Sequence, residues 1–187
     1  DDRLLVDPVL HALAPAADID LDWSAGAGAT GYNVYRRLGA GAYNFAAPLN
    51  GATPISGTTF TDTTSVSGSA YRYVVRSVVI GSAGQQIESA SSNETTSLTA
   101  DGTNPTGVTL VAIPASNSGD LTLSGNASDT ISGIAEVFFE YRTSPSGAWS
   151  DACSETTTPY TCDFDTTTVA DGLYDFRARP VANAGNE

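Results

Sequence analysis

The chain has no methionine and no lysine, a single histidine and only two cysteines, and charged residues make up just 16% of its 187 positions. Each scarcity closes off a class of chemistry. Without lysine there is no Schiff base, no P-loop and no lysine to asparagine isopeptide crosslink. A Ser, His and Asp hydrolase needs a base beside its nucleophile, and the one imidazole, His11 in "PVLHALA", faces solvent on the alternation of that segment, as a surface residue without a role. The cations are eight arginines against 21 acids, a net charge of −13. Phosphate backbones and anionic membranes are repelled by such a surface, so nucleic acid is not an expected partner. No apolar run approaches a membrane span, and membrane insertion is not expected. No signal peptide is visible, and a chain opening "DDRLL" without Met reads as a mature product or an excised fragment.

What remains is apolar residues at 41% set among abundant Ser, Thr, Gly and Ala, a composition that disfavours disorder. The length allows one large domain or two small ones, and two is the better starting reading. Cys153 and Cys162 flank "SETTTPYT", a stretch suited to a hairpin or short crossover. Oxidised pairing is the preferred reading, worth on the order of 2–3 kcal/mol for a loop of this size if unstrained; the alternative is two reduced, buried thiols. The composition points to an oxidising, extracellular setting, secreted or at a cell surface.

Hydrophobic period sets the fold class. In "DIDLDW", Ile19, Leu21 and Trp23 alternate with Asp18, Asp20 and Asp22, giving one apolar and one acidic face. "GYNVYRR" sets Tyr32 and Val34 against Asn33 and Tyr35, and "YRYVVRS" sets Tyr71, Tyr73 and Val75 against Arg72, Val74 and Arg76. Turn-rich clusters separate these runs, and no window shows a helical stripe. After "TADGTNPTG", residues 99–107, which read as a linker, come "VTLVAI", "LTLSGNA", "IAEVFFEYR", "AWSDAC", "TCDFD" and "GLYDFRARPV". Val137, Phe139 and Tyr141 alternate with Phe138, Glu140 and Arg142, and Tyr174, Phe176 and Ala178 share a face. The expectation is an all-β chain of two tandem sandwiches, residues 8–98 and 108–187, with 1–7 as an extra strand or linker.

Chemistry-bearing clusters are few. Asp18, Asp20 and Asp22 stand about 6.5–7 Å apart along one strand face, whereas calcium wants six to eight oxygens at about 2.3–2.6 Å. They read as a solvated face that resists edge pairing, and no metal or cofactor is expected. Asp163 alternates outward in the same way, and Asp165 and Asp171 have turn roles. A glycosidase needs two carboxyls facing each other across a cleft, and these acids point outward, so no enzyme is expected. Flat aromatics with a polar edge are the remaining binding candidates. Tyr35 and Trp149 are placed facing a ligand, with Tyr43 and Phe138 behind them; the competing reading is packing against a neighbouring strand.

From about Pro8 to Leu98 the chain resembles a bacterial fibronectin type III domain. Trp23 after "IDLD", "GYNVYR", "TTFTDTT", "YRYVV" and "ESASSNE" stand in the order of that family's strands B, C, E, F and the approach to G, with Tyr71 at the position of its tyrosine corner. From about Pro105 onward it resembles a bacterial immunoglobulin-like domain, through "DGTNPTG", "ASDTISGIAEVFFEYR" and "TTTVADGLYDFRARPVANAGNE". Members of that family often carry an Asp three residues before the Gly of "AGN" and some bind calcium with it; here the position is Ala182, leaving only Asp101. The resemblance implies a non-catalytic extracellular structural, assembly or adhesion module, or an accessory spacer or glycan-binding segment of a large secreted polysaccharide-degrading enzyme.

One sheet reads as unfinished. The second block offers six strands, and the last, which ends in "VANAGNE", calls for a strand G beside it. Phe176, Ala178 and Val181 would form an acceptor edge. The chain begins with a spare run, Arg3, Leu4, Leu5, Val6 and Asp7, that the first domain does not need. One expectation is that this run completes the second domain of another copy, joining copies head to tail. The other is that the chain is cut from a longer array and its strand G lies past Glu187. The expected partners are therefore copies of itself or neighbouring domains of a larger chain, with glycans as a further class.

Overall fold

In the computed structural model, residues 10–13 and 17–187 are described, the side chains of 11–13 excepted. The chain divides into two compact units, Asp1–Gly102 and Thr103–Glu187. Both are built of antiparallel strands, as the two-residue period predicts. Ala100 and Asp101, which the sequence places in the linker, are fully buried in the first unit.

The first unit contains β1 (Leu10–Leu13), β2 (Ile19–Trp23), β3 (Gly31–Leu38), β4 (Thr59–Asp62), β5 (Ala70–Ile80), β6 (Gln86–Glu88) and β7 (Leu98–Thr99). One sheet runs β1-β2-β4; in the other, β5 pairs with β3 on one side and with β6 and β7 on the other. The alternation in β2 has the expected result: Ile19, Leu21 and Trp23 are buried while Asp20 and Asp22 are exposed. Across the core, Trp23 meets Tyr32 of the facing sheet edge-on at 5.5 Å, and Tyr71, Tyr73 and Val75 of β5 fill the space between. Burying each such side chain contributes roughly 1.5–3 kcal/mol. The Val66 N–H donates to the Tyr71 hydroxyl at 3.1 Å, the tie back to upstream backbone that defines a tyrosine corner.

Between β6 and β7 the chain closes β5 by an unusual route. Ser89, Ser92 and Thr95 donate their N–H groups to the carbonyls of Ser77, Val75 and Tyr73. In return, their hydroxyls accept from the N–H groups of those same three residues, at 3.0, 2.9 and 3.1 Å. Three residues of this segment thus match two of β5, and a side-chain oxygen stands where a strand would offer a carbonyl. Every backbone group along that stretch of β5 is satisfied without a regular ladder, as burial demands. Asn93 clamps β1 from the same segment, accepting from the Leu10 N–H at 2.8 Å and donating to its carbonyl at 3.1 Å.

The second unit contains β8 (Thr106–Leu110), β9 (Asp120–Ser128), β10 (Ile134–Thr143), β11 (Ser150–Glu155), β12 (Tyr160–Asp165) and β13 (Tyr174–Ala182), with one 3-10 turn at Thr166–Thr168. The sheets run β12-β9-β8 and β11-β10-β13. Leu121, Leu123, Tyr160 and Phe164 of the first meet Val137 and Phe139 of the second. A disulfide joins Cys153 on β11 to Cys162 on β12, with 6.2 Å between the Cα atoms, so it ties one sheet to the other. Asp165 caps the 3-10 turn by accepting from the Thr167 N–H and hydroxyl, the turn role its position predicts.

Candidate functional site

The outer face of the β3-β5-β6 sheet carries the densest polar and aromatic constellation of the first unit. The segment between β3 and β4 lays Phe45 against Tyr35 of this face and then returns along the edge of β3, where Leu49 donates to the Val34 carbonyl and Val34 donates to the Asn50 side chain at 2.9 Å. Gly31 makes that return possible, because a Cβ there would stand 2.7 Å from Pro54. This covering corrects the expectation for Tyr35. Its side chain leaves the core as the alternation requires, yet it is only 2% exposed. Its hydroxyl donates to Glu88, which also accepts from Asn33 at 2.6 Å. Burial, and then the Glu88 carboxylate, push the phenol pKa upward, so it stays a donor.

Phe45 lies edge-on to Tyr35 at 5.0 Å and beside Tyr43 at 5.6 Å. It remains 40% exposed, and the Arg76 guanidinium lies 3.5 Å from its ring centroid. Asn33, Tyr35, Phe45, Ala46, Gln86 and Glu88 contribute to the lining of an open cleft of about 510 Å³. On the same face Arg37 reaches over Tyr43 and pairs with Glu94 at 2.7 Å, and Arg72 joins that carboxylate at 3.1 Å. Arg37 first, helped by Tyr43 and Arg72, holds Glu94 down at about 2.

In the second unit, Trp149 is half-buried against two guanidiniums, Arg142 at 4.6 Å and Arg177 at 4.4 Å from its ring centroid. Arg179 covers Phe138 at 4.4 Å. Glu140 sits between Arg177 and Arg179 and is buried beneath them although it points away from the core. Burial pushes its carboxyl up, but the hydrogen bonds from Arg179 and Arg177 win and lower it. Arginine serves in both units as a flat lid over an aromatic ring, a use for which its planar, weakly hydrated head is suited and a lysine is not.

One functional-looking carboxylate escaped the sequence reading. Asp62, inside "TTFTDTT", is 1% exposed and accepts from Tyr73, Arg36 and Thr64. Burial raises its pKa, the bonds from Thr64, Tyr73 and Arg36 outweigh it, and the net shift is downward. Every other shifted carboxyl among the described residues, Glu94, Asp129, Glu140, Glu155 and Asp165, is lowered too. A glycosidase acid requires the opposite shift. Among the described residues no three His, Cys, Asp or Glu side chains gather as a metal site.

The proposed acceptor edge is on β13. Phe176 and Ala178 pack against the second core, while β10 is the only ladder neighbour of β13 among the described residues. At the far end, the Ala182 N–H donates to the Asn186 carbonyl and Gly185 turns the chain with φ +87°. That turn begins directly after Val181. The turn is held in place by Asn183, whose side chain donates to the Ser132 carbonyl at 2.7 Å. Arg3, Leu4, Leu5, Val6 and Asp7, and the side chain of His11, lie outside the described residues.

Residues 112–178 match the family model of the bacterial Ig domain. Among solved structures, the fibronectin(III)-like modules of Clostridium thermocellum CbhA align over 95% of this chain and 88% of theirs, at 18% identity and a TM-score of 0.50. An Fn3-like protein from Clostridium thermocellum is 31% identical, over 49% of this chain and 90% of that one, with a TM-score of 0.40. No curated protein matches the chain. The chain has a fibronectin type III-like unit followed by a bacterial immunoglobulin-like unit. Bacterial Ig domains are typically non-catalytic structural or accessory modules. The disulfide is compatible with an extracellular setting, and no helix among the described residues is long and apolar enough to cross a membrane.

Proposed function

We propose that the chain is a non-catalytic, extracellular assembly module that joins copies of itself head to tail. In this reading Arg3–Asp7 of one subunit adds as a strand along β13 of the next. The observation that carries it is the state of β13: among the described residues it is paired on one side only, and Leu110, Ile113, Phe176 and Ala178 around it are only partly buried. An unpaired edge beside an incompletely covered core gains both backbone bonds and apolar contact from an added strand. The apolar run Leu4 to Val6, bounded by Arg3 and Asp7, has the pattern such a strand needs. Because the contact is heterologous, it extends without closing.

Light scattering of the protein and of a variant lacking Arg3–Asp7 tests this. Oligomers that disappear on deletion support strand donation. Oligomers that survive it, or an intact protein that stays monomeric at every concentration, sink it. A second reading, an accessory spacer or glycan-binding segment of a large secreted polysaccharide-degrading enzyme, is favoured by the cleft over Tyr35 and Glu88.

A further inference from the structure

We infer that the cleft on the first unit is a saccharide subsite, taking one pyranose ring of a neutral polysaccharide. The inference rests on the glycan-binding alternative above and names its place and ligand class. The cleft is open to solvent and holds about 510 Å³. Its lining divides as a sugar ring does. Phe45, 40% exposed, supplies an aromatic edge for the ring's C–H groups, and it is held by Arg76 over one face, by Tyr43 stacked beside it and by Tyr35 edge-on. Gln86 and Glu88 supply the polar edge for hydroxyls.

Most polar atoms of the lining are already engaged. Asn33 spends both amide hydrogens, on Gln86 and Glu88, and its oxygen accepts from Asn50. Glu88 accepts from Asn33 and Tyr35 on one oxygen, and from Arg76 alone on the other, at 3.2 Å. Gln86 uses one amide hydrogen on the Ala52 carbonyl at 2.8 Å and so keeps a second. The cleft therefore presents one amide donor and one carboxylate acceptor already locked in orientation by neighbours, which lowers the entropy lost on binding. Arg76 neutralises Glu88, so the site suits an uncharged polyol rather than a cation or an anion. Ala46, Pro48, Gly51 and Ala52 complete the lining with short side chains.

Cellohexaose, with uncharged dextran fragments as a comparison, is the probe, and backbone amide NMR of the intact chain is the readout. Binding should shift the amides of Phe45, Gln86 and Glu88. It should weaken at least tenfold in Phe45→Ala and in Ala46→Trp, a variant that fills the cleft without removing any contact beneath it. Trp23 and Tyr73 amides that stay in place in both variants certify the fold. Cellohexaose binding that moves other amides and survives Ala46→Trp overturns the cleft assignment while leaving the glycan-binding reading standing. If neither oligosaccharide moves any amide, both fail.

Discussion

β5 and β13 are counterparts, each lying next to a long strand of its own sheet and each sending aromatic rings into a core, yet their outer edges differ. Residues 86–99 close β5 completely, first as β6, then through Ser89, Ser92 and Thr95, then as β7. Nothing among the described residues does this for β13 beyond the turn at Ala182. The cores differ in step. Among the described residues, ten apolar side chains are buried in the first core with five partly buried around them, against six and eleven in the second. The comparison teaches that in a sandwich of this size one edge strand decides whether the apolar layer is dry, because each inward side chain needs neighbours on both flanks.

The sharpest test of that contrast is a pair of truncations in the second unit. Phe139→Ala, at a fully buried site, is expected to cost about 3–5 kcal/mol. Phe176→Ala, beside the open edge, should cost only about 1–2 kcal/mol, since less area leaves water there. Urea titrations followed by Trp149 fluorescence give both numbers, and equal costs would mean that β13 is covered in solution. Next in size is the disulfide. Replacing Cys153 and Cys162 by Ser should remove about 2–3 kcal/mol from the second unit, with the calorimetric transition of the first unit unmoved.

The hydroxyl ladder of the first unit is expected to show a smaller effect. Ser92→Ala leaves the buried Val75 N–H without its acceptor, at a cost of about 1–2 kcal/mol. Hydrogen exchange at Val75 should accelerate, and an unchanged rate would show that the hydroxyl does not close the edge. The mildest effect is on the pH profile. Glu94 and Asp62 are lowered in the folded state, so their stabilisation is present above their unfolded values of roughly 4. It is lost as pH falls through the folded values, about 2 for Glu94. Melting temperatures between pH 5 and 2 should fall for the first unit, and Arg37→Gln should flatten that fall without altering the second unit's profile.

Much of the fold is legible in the letters. Ile19, Leu21 and Trp23, Tyr71, Tyr73 and Val75, and Val137 and Phe139 are where their alternation puts them, and the six strands read in the second block all form. Tyr71 takes up its corner, and Cys153 pairs with Cys162. The candidate site was less legible. The alternation puts Tyr35 on the right face, but nothing local announces that Phe45, ten residues on, will lie over it. Asp62 was hidden in a turn-like Thr run, and the spacing of Ser89, Ser92 and Thr95, three residues against a strand's two, was the one available sign of how β5 is closed.

The sequence by itself determined which side of each strand is apolar, and with it the all-β class and the two cores, because alternate side chains must point to opposite faces. Only the tertiary structure decided what lies on the outward side. Whether an outward residue meets water, as Asp20 does, or a folded-back loop, as Tyr35 does, or two guanidiniums, as Glu140 does, depends on segments distant in the chain. The same holds for edges, since a strand's pattern fixes its faces and leaves its backbone partners to whatever packs beside it.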